Sequence, residues 1–187
     1  MNNLLSTIEE IINKEYKYEN STHLVEPKTN ANASTQQCES VQIKKRGKAL
    51  IYKFDEKTDQ LLSFLNSIKT KKSSSKAMLD YIIFYEKQNY YYILLCNLKS
   101  HNISNSHDQI HAGHLLAQYL VGTANRLLDI PIDKQTIYIA LHFKTNAPSN
   151  EVPTKQPPSY EYYKNGLPYL ILPCKYACNL DAICHQI

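Results

Sequence analysis

Asp80 stands inside a run that is otherwise apolar, Met78-Leu79-Asp80-Tyr81-Ile82-Ile83-Phe84-Tyr85. Asn97 and Lys99 close a second such run, Tyr90-Tyr91-Tyr92-Ile93-Leu94-Leu95-Cys96-Asn97-Leu98-Lys99. A charge in such surroundings is costly unless it is paired or holds a metal, so these positions are the first candidates for chemistry. The polar stretch Glu86–Asn89 between the runs makes them two consecutive antiparallel strands. With a two-residue loop at Lys87–Gln88, Asp80 faces Leu95, and Asp80, Asn97 and Lys99 converge on one face of the sheet. A loop of odd length would part them. Asp80 and Lys99 so placed would neutralise each other as a buried pair, or Asp80 would hold a metal.

An Asp in one strand, followed by Asn-Leu-Lys at the end of the next, resembles the core motif of the PD-(D/E)XK nuclease-like superfamily. The resemblance spans residues 41–143. In that family the Asp and an acidic residue two positions before the Lys hold a divalent metal, and the Lys positions or activates a water. A following helix often presents a Gln, a place that Gln109 fits. The resemblance therefore implies a nucleic-acid phosphodiesterase site built from Asp80, Asn97, Lys99, Asp108 and Gln109, with Mg²⁺ as cofactor. This chain departs from the pattern at Asn97. An amide oxygen can ligate a hard cation but brings no charge, and it cannot take a proton from water. Asp108 is the carboxylate placed to join Asp80 as a metal ligand, with Glu9 and Glu10 as further candidates. The implied protein is a nuclease-like component with a degenerate site. It would contact nucleic acid or a protein partner within a microbial nucleic-acid-processing or defence complex. The alternative is an active endonuclease that uses the migrated carboxylate.

Other groups invite weaker readings. His107, His111 and His114 share a helix face at a spacing that suits a metal. Without an HExxH pattern they read as a polar face near the mouth of the sheet. Cys174, Cys178, Cys184 and His185 offer zinc-type donors, yet C-x3-C-x5-C-H is no standard knuckle, and Ala177 and Ile183 suggest packing. The clusters Lys44-Lys45-Arg46-Lys48 and Lys69–Lys76 could meet polyanions but read as solvated surface. Tyr90–Tyr92 and Tyr160–Tyr163 are packing residues with polar tips, or a partner surface.

The elements that must position Asp80 follow from periodicity. Leu4, Leu5, Ile8, Ile11 and Ile12 predict a helix over 2–16, and residues 17–40 read as a polar loop. A strand pair broken at Arg46–Gly47 covers 41–54, a helix covers 58–68 and a basic loop 69–76. After the two apolar strands come a helix over 107–128 and a strand over 136–143. A proline-rich loop, an Asn165–Gly166 turn, a strand at 167–172 and a cysteine-containing tail complete the chain. The expected architecture is an α/β (α+β) fold, a central mixed sheet flanked by helices in the order αβββαβ. At 187 residues, 43% hydrophobic and 20% charged, the chain reads as a single globular domain over 1–187, with no collagen-like or disordered composition. No apolar run approaches a membrane span, and the N-terminal residues do not read as a secretory signal. Five cysteines argue against a full disulfide framework and suggest a reduced, cytoplasmic chain with a net charge of +4.

Overall fold

The computed structural model describes residues 3–25, 38–54, 78–99, 106–128, 135–145 and 159–184. The chain opens with helix α1 (Leu4–Ile11), where Asn3 and Ser6 form a reciprocal capping box. A single 3-10 turn follows at Lys14–Tyr16. The next strands are β1 (His23–Val25), β2 (Ser40–Lys44), β3 (Ala49–Lys53), β4 (Tyr81–Lys87) and β5 (Tyr90–Lys99). Helix α2 (Ser106–Leu127) leads to β6 (Gln135–Lys144), β7 (Glu161–Tyr162), β8 (Pro168–Pro173), β9 (Cys178–Asn179) and the short α3 (Leu180–Ile183).

Six strands form a mixed sheet in the order β3-β4-β5-β6-β8-β7, and β1-β2-β9 form a second sheet of three. The strands β3, β4 and β5 run antiparallel, whereas β5, β6 and β8 are mutually parallel. Helix α2 makes the crossover from β5 to β6. With the small-sheet strands β1 and β2 set aside, the described elements α1-β3-β4-β5-α2-β6 run helix, three strands, helix, strand, and the fold is α+β.

Alternation along the strands sorts the core into two halves. Leu50, Tyr52, Ile82, Phe84, Ile93, Leu95 and Ala140 face α1 and α2. Ile51, Ile83, Tyr85, Leu94, Cys96 and Leu141 pack with Val41 and Ile43 of β2 and with Leu180 and Ile183 of α3. A sheet covered on both faces needs strands that are apolar at every position, which explains why β4 and β5 read as unbroken apolar runs.

Several boundaries differ from the expectation. The first helix stops at Ile11, because Ile12 already has extended backbone. The polar segment 17–40 contains β1, and its Cys38 is joined to Cys174 by a disulfide that cysteine parity did not suggest. The segments β2 and β3 are not a pair: the turn near Arg46–Gly47 is a corner that carries the chain from the small sheet to the large one. The cysteine-containing tail adds β9 and α3. The expected helix at 58–68 and basic loop at 69–76 lie outside the described residues. Among the described residues no helix is long and apolar enough to cross a membrane.

Helix α2 comes down on the sheet at Gly113. A Cβ there would lie 1.4 Å from Leu79 Cδ2 and 2.5 Å from its Cγ, and Leu79 is fully buried. Gly122, on the same helix, has nothing within 4 Å of its Cβ direction. The two glycines therefore predict opposite outcomes. Gly113→Ala lowers the unfolding free energy by about 1–2 kcal/mol, as overpacking exceeds the gain in helix propensity. Gly122→Ala raises it by about 1 kcal/mol. Urea denaturation of the two variants beside wild type checks both signs.

Candidate functional site

The hairpin of β4 and β5 pairs Lys87 with Tyr90, so its loop is Gln88–Asn89, one step later than expected but still two residues long. Gln88 sits at φ 53°, the left-handed conformation that tight hairpins favour. The even loop keeps the expected parity. One residue beyond the Tyr81–Cys96 pair, Asp80 stands opposite Asn97 on the face covered by α2.

There the ladder passes from backbone to side chains. The Asp80 amide donates to Asn97 Oδ1 at 3.2 Å, and the Leu98 amide donates to Asp80 Oδ2 at 2.6 Å. Each residue thus uses its side chain to hold the other strand. Asp80 is buried at 8% exposure and Asn97 at 0%. Lys99 ends β5 opposite Lys144 of β6, and its expected ion pair with Asp80 lies outside the described side chains.

Asn97 also reaches into the first turn of α2. Its Nδ2 donates to Ser106 Oγ at 2.8 Å and lies 3.4 Å from both Ser106 O and Gln109 Oε1. Ser106 Oγ in turn lies 2.8 Å from His142 Nδ1, and His142 Nε2 meets the hydroxyl of Tyr163. Ser106 and His142 are both fully buried. Tyr163 is held by the turn that closes at Leu167, with Gly166 at φ 80°. It stacks on Tyr169 at 4.5 Å and receives the edge of His107 at 4.6 Å. Burial, then the neighbouring Tyr169, pushes the Tyr163 phenol above its ordinary range, so it keeps its proton.

Asn97 fixes the direction of this chain. An amide nitrogen can only donate, so Ser106 Oγ accepts from it. Ser106 must then place its own hydrogen, and among its described partners only His142 Nδ1 can take it. His142 is therefore a neutral ring with its proton on Nε2, donating to Tyr163. A carboxylate at position 97 would reverse each step. The pair Ser106–His142 looks like a nucleophile and base, but at 0% exposure neither atom can meet a substrate.

The structure brings Asp80, Asn97 and Gln109 together and adds Ser106, His142 and Tyr163, which the sequence reading missed. His142 carried the same signal as Asp80, a polar residue inside an apolar strand, and it pairs directly with Asn97 in the parallel ladder. Ser106 read only as part of a polar break, and Tyr163 as one tyrosine of a cluster.

Among the described residues the donor set is poor in charge for a hard cation. It offers one carboxylate, with an oxygen already held by Leu98, and an amide whose oxygen faces a backbone N–H. Among the described residues no three His, Cys, Asp or Glu side chains come together as a metal site. Asp108 is half-exposed in the first turn of α2, and its neighbour Gln109 is the residue that reaches Asn97. Glu9 pairs with Lys17 at 2.6 Å on the surface. Nor does the tail form a zinc set: Cys174 is in the disulfide, Cys178 and Cys184 are buried thiols, and His185 lies outside the described residues. Of the three helix histidines, His107 and His111 are exposed, while His114 lies half-buried against Tyr138. Comparison with protein-family models, curated proteins and solved structures finds no match to this chain.

Ser106→Ala strips partners from Asn97 Nδ2 and His142 Nδ1 at once, inside the core. The expected loss is about 1–3 kcal/mol of unfolding free energy in chemical denaturation. A change within about 0.5 kcal/mol, the level of an ordinary surface substitution, would contradict this network.

Proposed function

We propose that this chain is a nuclease-like protein whose second acidic position has become a structural tie, and that it acts by binding nucleic acid or a protein partner rather than by cutting. One observation carries the reading: Asn97 is fully buried and both ends of its amide are engaged inside the fold. Hydrolysis of a phosphodiester needs a clamped metal to generate hydroxide and to offset developing charge. A neutral amide turned toward Asp80's own backbone contributes to neither task. The element order and the motif Asp80, Asn97, Lys99 support the family reading, and the exposed Lys44, Arg46 and Lys48 supply positive charge for a polyanion. A place in a microbial defence complex is what the family resemblance suggests. The Cys38–Cys174 disulfide weighs against the cytoplasmic setting that cysteine parity suggested, because cytosolic thiols are kept reduced.

The test is cleavage of single- and double-stranded DNA and RNA with Mg²⁺ or Mn²⁺, comparing wild type, Asp80→Ala and Asn97→Glu. The expected result is no cutting by wild type, together with retention of nucleic acid or a partner in a binding assay. Robust wild-type cutting that Asp80→Ala abolishes would overturn the non-catalytic reading and make Asp108 the next carboxylate to replace.

A further inference from the structure

A second recess opens at the other end of the sheet. It is a groove of about 460 Å³ where β5, β6 and β8 begin, roofed by the middle of α2 and by the Asn165–Gly166 turn. Gln135 at its floor is seven positions before His142 along β6, about 23 Å away at strand rise, so the groove is separate from the buried network. Its volume lies within the range of small-molecule sites, about 300–1,000 Å³.

The lining is chemically selective. Among the described residues it includes no Asp, Glu, Lys or Arg. Its polar side chains include the amides of Gln118, Gln135 and Asn165, the hydroxyl of Thr136 and the imidazole of His114, set beside the rings of Tyr90, Tyr138 and Tyr162. Asn165 Oδ1 is used by the Leu167 amide, which leaves its NH₂ for a ligand. The side chains of Gln118, Gln135 and His114 have no hydrogen-bond partner among the described residues. Burial, then the nearby His111, lowers the pKa of His114, so it adds no charge at neutral pH. Tyr162 is 58% exposed, so its side chain is accessible to a ligand.

Each ligand class meets these features differently. An anion finds no cationic side chain among the described lining residues. A lipid chain would leave three amides unsatisfied. A nucleobase is held by stacking on flat faces. The ring pair in this wall is edge-to-face, His114 against Tyr138 at 4.9 Å and 62°, and leaves no parallel slot. A neutral sugar has apolar C–H faces for one aromatic shelf and adjacent hydroxyls that both donate and accept. Amides and a neutral imidazole match such hydroxyls one for one. We propose that this groove is a binding site for a neutral saccharide.

The test is saturation-transfer and amide-correlation NMR on the full chain, with maltotriose, cellotriose, mannotriose and chitotriose as probes at millimolar concentration and adenosine and uridine as comparisons. At least one trisaccharide should bind and shift the side-chain amide signals of Gln118, Gln135 and Asn165. Gln135→Ala, an exposed change, should weaken that binding about fivefold, the effect of one lost hydrogen bond, while the rest of the spectrum stays in place. Saturation transfer to none of the four sugars, binding that Gln135→Ala leaves unchanged, or adenosine or uridine shifting these amides instead would overturn the proposal. Asp80 and Asn97 play no part in this readout, so its outcome is independent of the nuclease-like reading.

Discussion

Where the β4–β5 ladder ends, Asp80 and Asn97 hold each other's strands through side chains, and this exchange fixes the polar interior of the fold. Buried polar groups are tolerated only when satisfied, and partners in a low-dielectric interior depend on one another. Asn97 satisfies that demand at both ends: its oxygen closes the hairpin and its nitrogen captures the first turn of α2 through Ser106. From there the chain runs through His142 of β6 to Tyr163, beside β8. One amide therefore ties together the β4–β5 hairpin, α2 and, through Ser106 and His142, β6. The same commitment removes it from any part in catalysis.

Packing holds this arrangement from both sides. On the helical face, Gly113 lets α2 settle directly onto Leu79, the residue before Asp80, which sets how closely the helix N-terminus approaches Asn97. On the opposite face, the small sheet and α3 cover the odd-numbered positions of β4 and the even-numbered positions of β5, and the Cys38–Cys174 disulfide joins the approach to β2 to the end of β8. Asp181 of α3 accepts from the Tyr85 hydroxyl, and Lys87 donates to the carbonyls of Asp181 and Cys184. One lysine of this Lys-rich chain is thus a structural cap rather than free surface charge.

Much of this was legible in the sequence because it depends on parity and apolar density. The position of the β4–β5 loop was misplaced by one step, yet any even loop keeps Asp80 and Asn97 on one face. What could not be read depends on contacts between distant segments. Asn97 meets His142 through a parallel pairing whose register no local pattern sets. Val41 and Ala49 lie in neighbouring strands of sequence that end in different sheets, because the small sheet recruits β9 from the far end of the chain. Cys38 and Cys174 are 136 residues apart, and cysteine parity says nothing about a single bridge. Asn97 itself read as a defect in a motif, whereas its environment makes it the residue best matched to its neighbours.

The central claim is that the Asn97 amide, acting through Ser106, sets the protonation of His142. Two-bond proton–nitrogen correlation NMR of the His142 ring measures this directly. The account predicts a neutral imidazole at neutral pH with its proton on Nε2, and transfer of that proton to Nδ1 in Asn97→Asp. A proton on Nδ1 or a doubly protonated ring in the wild-type chain would contradict it.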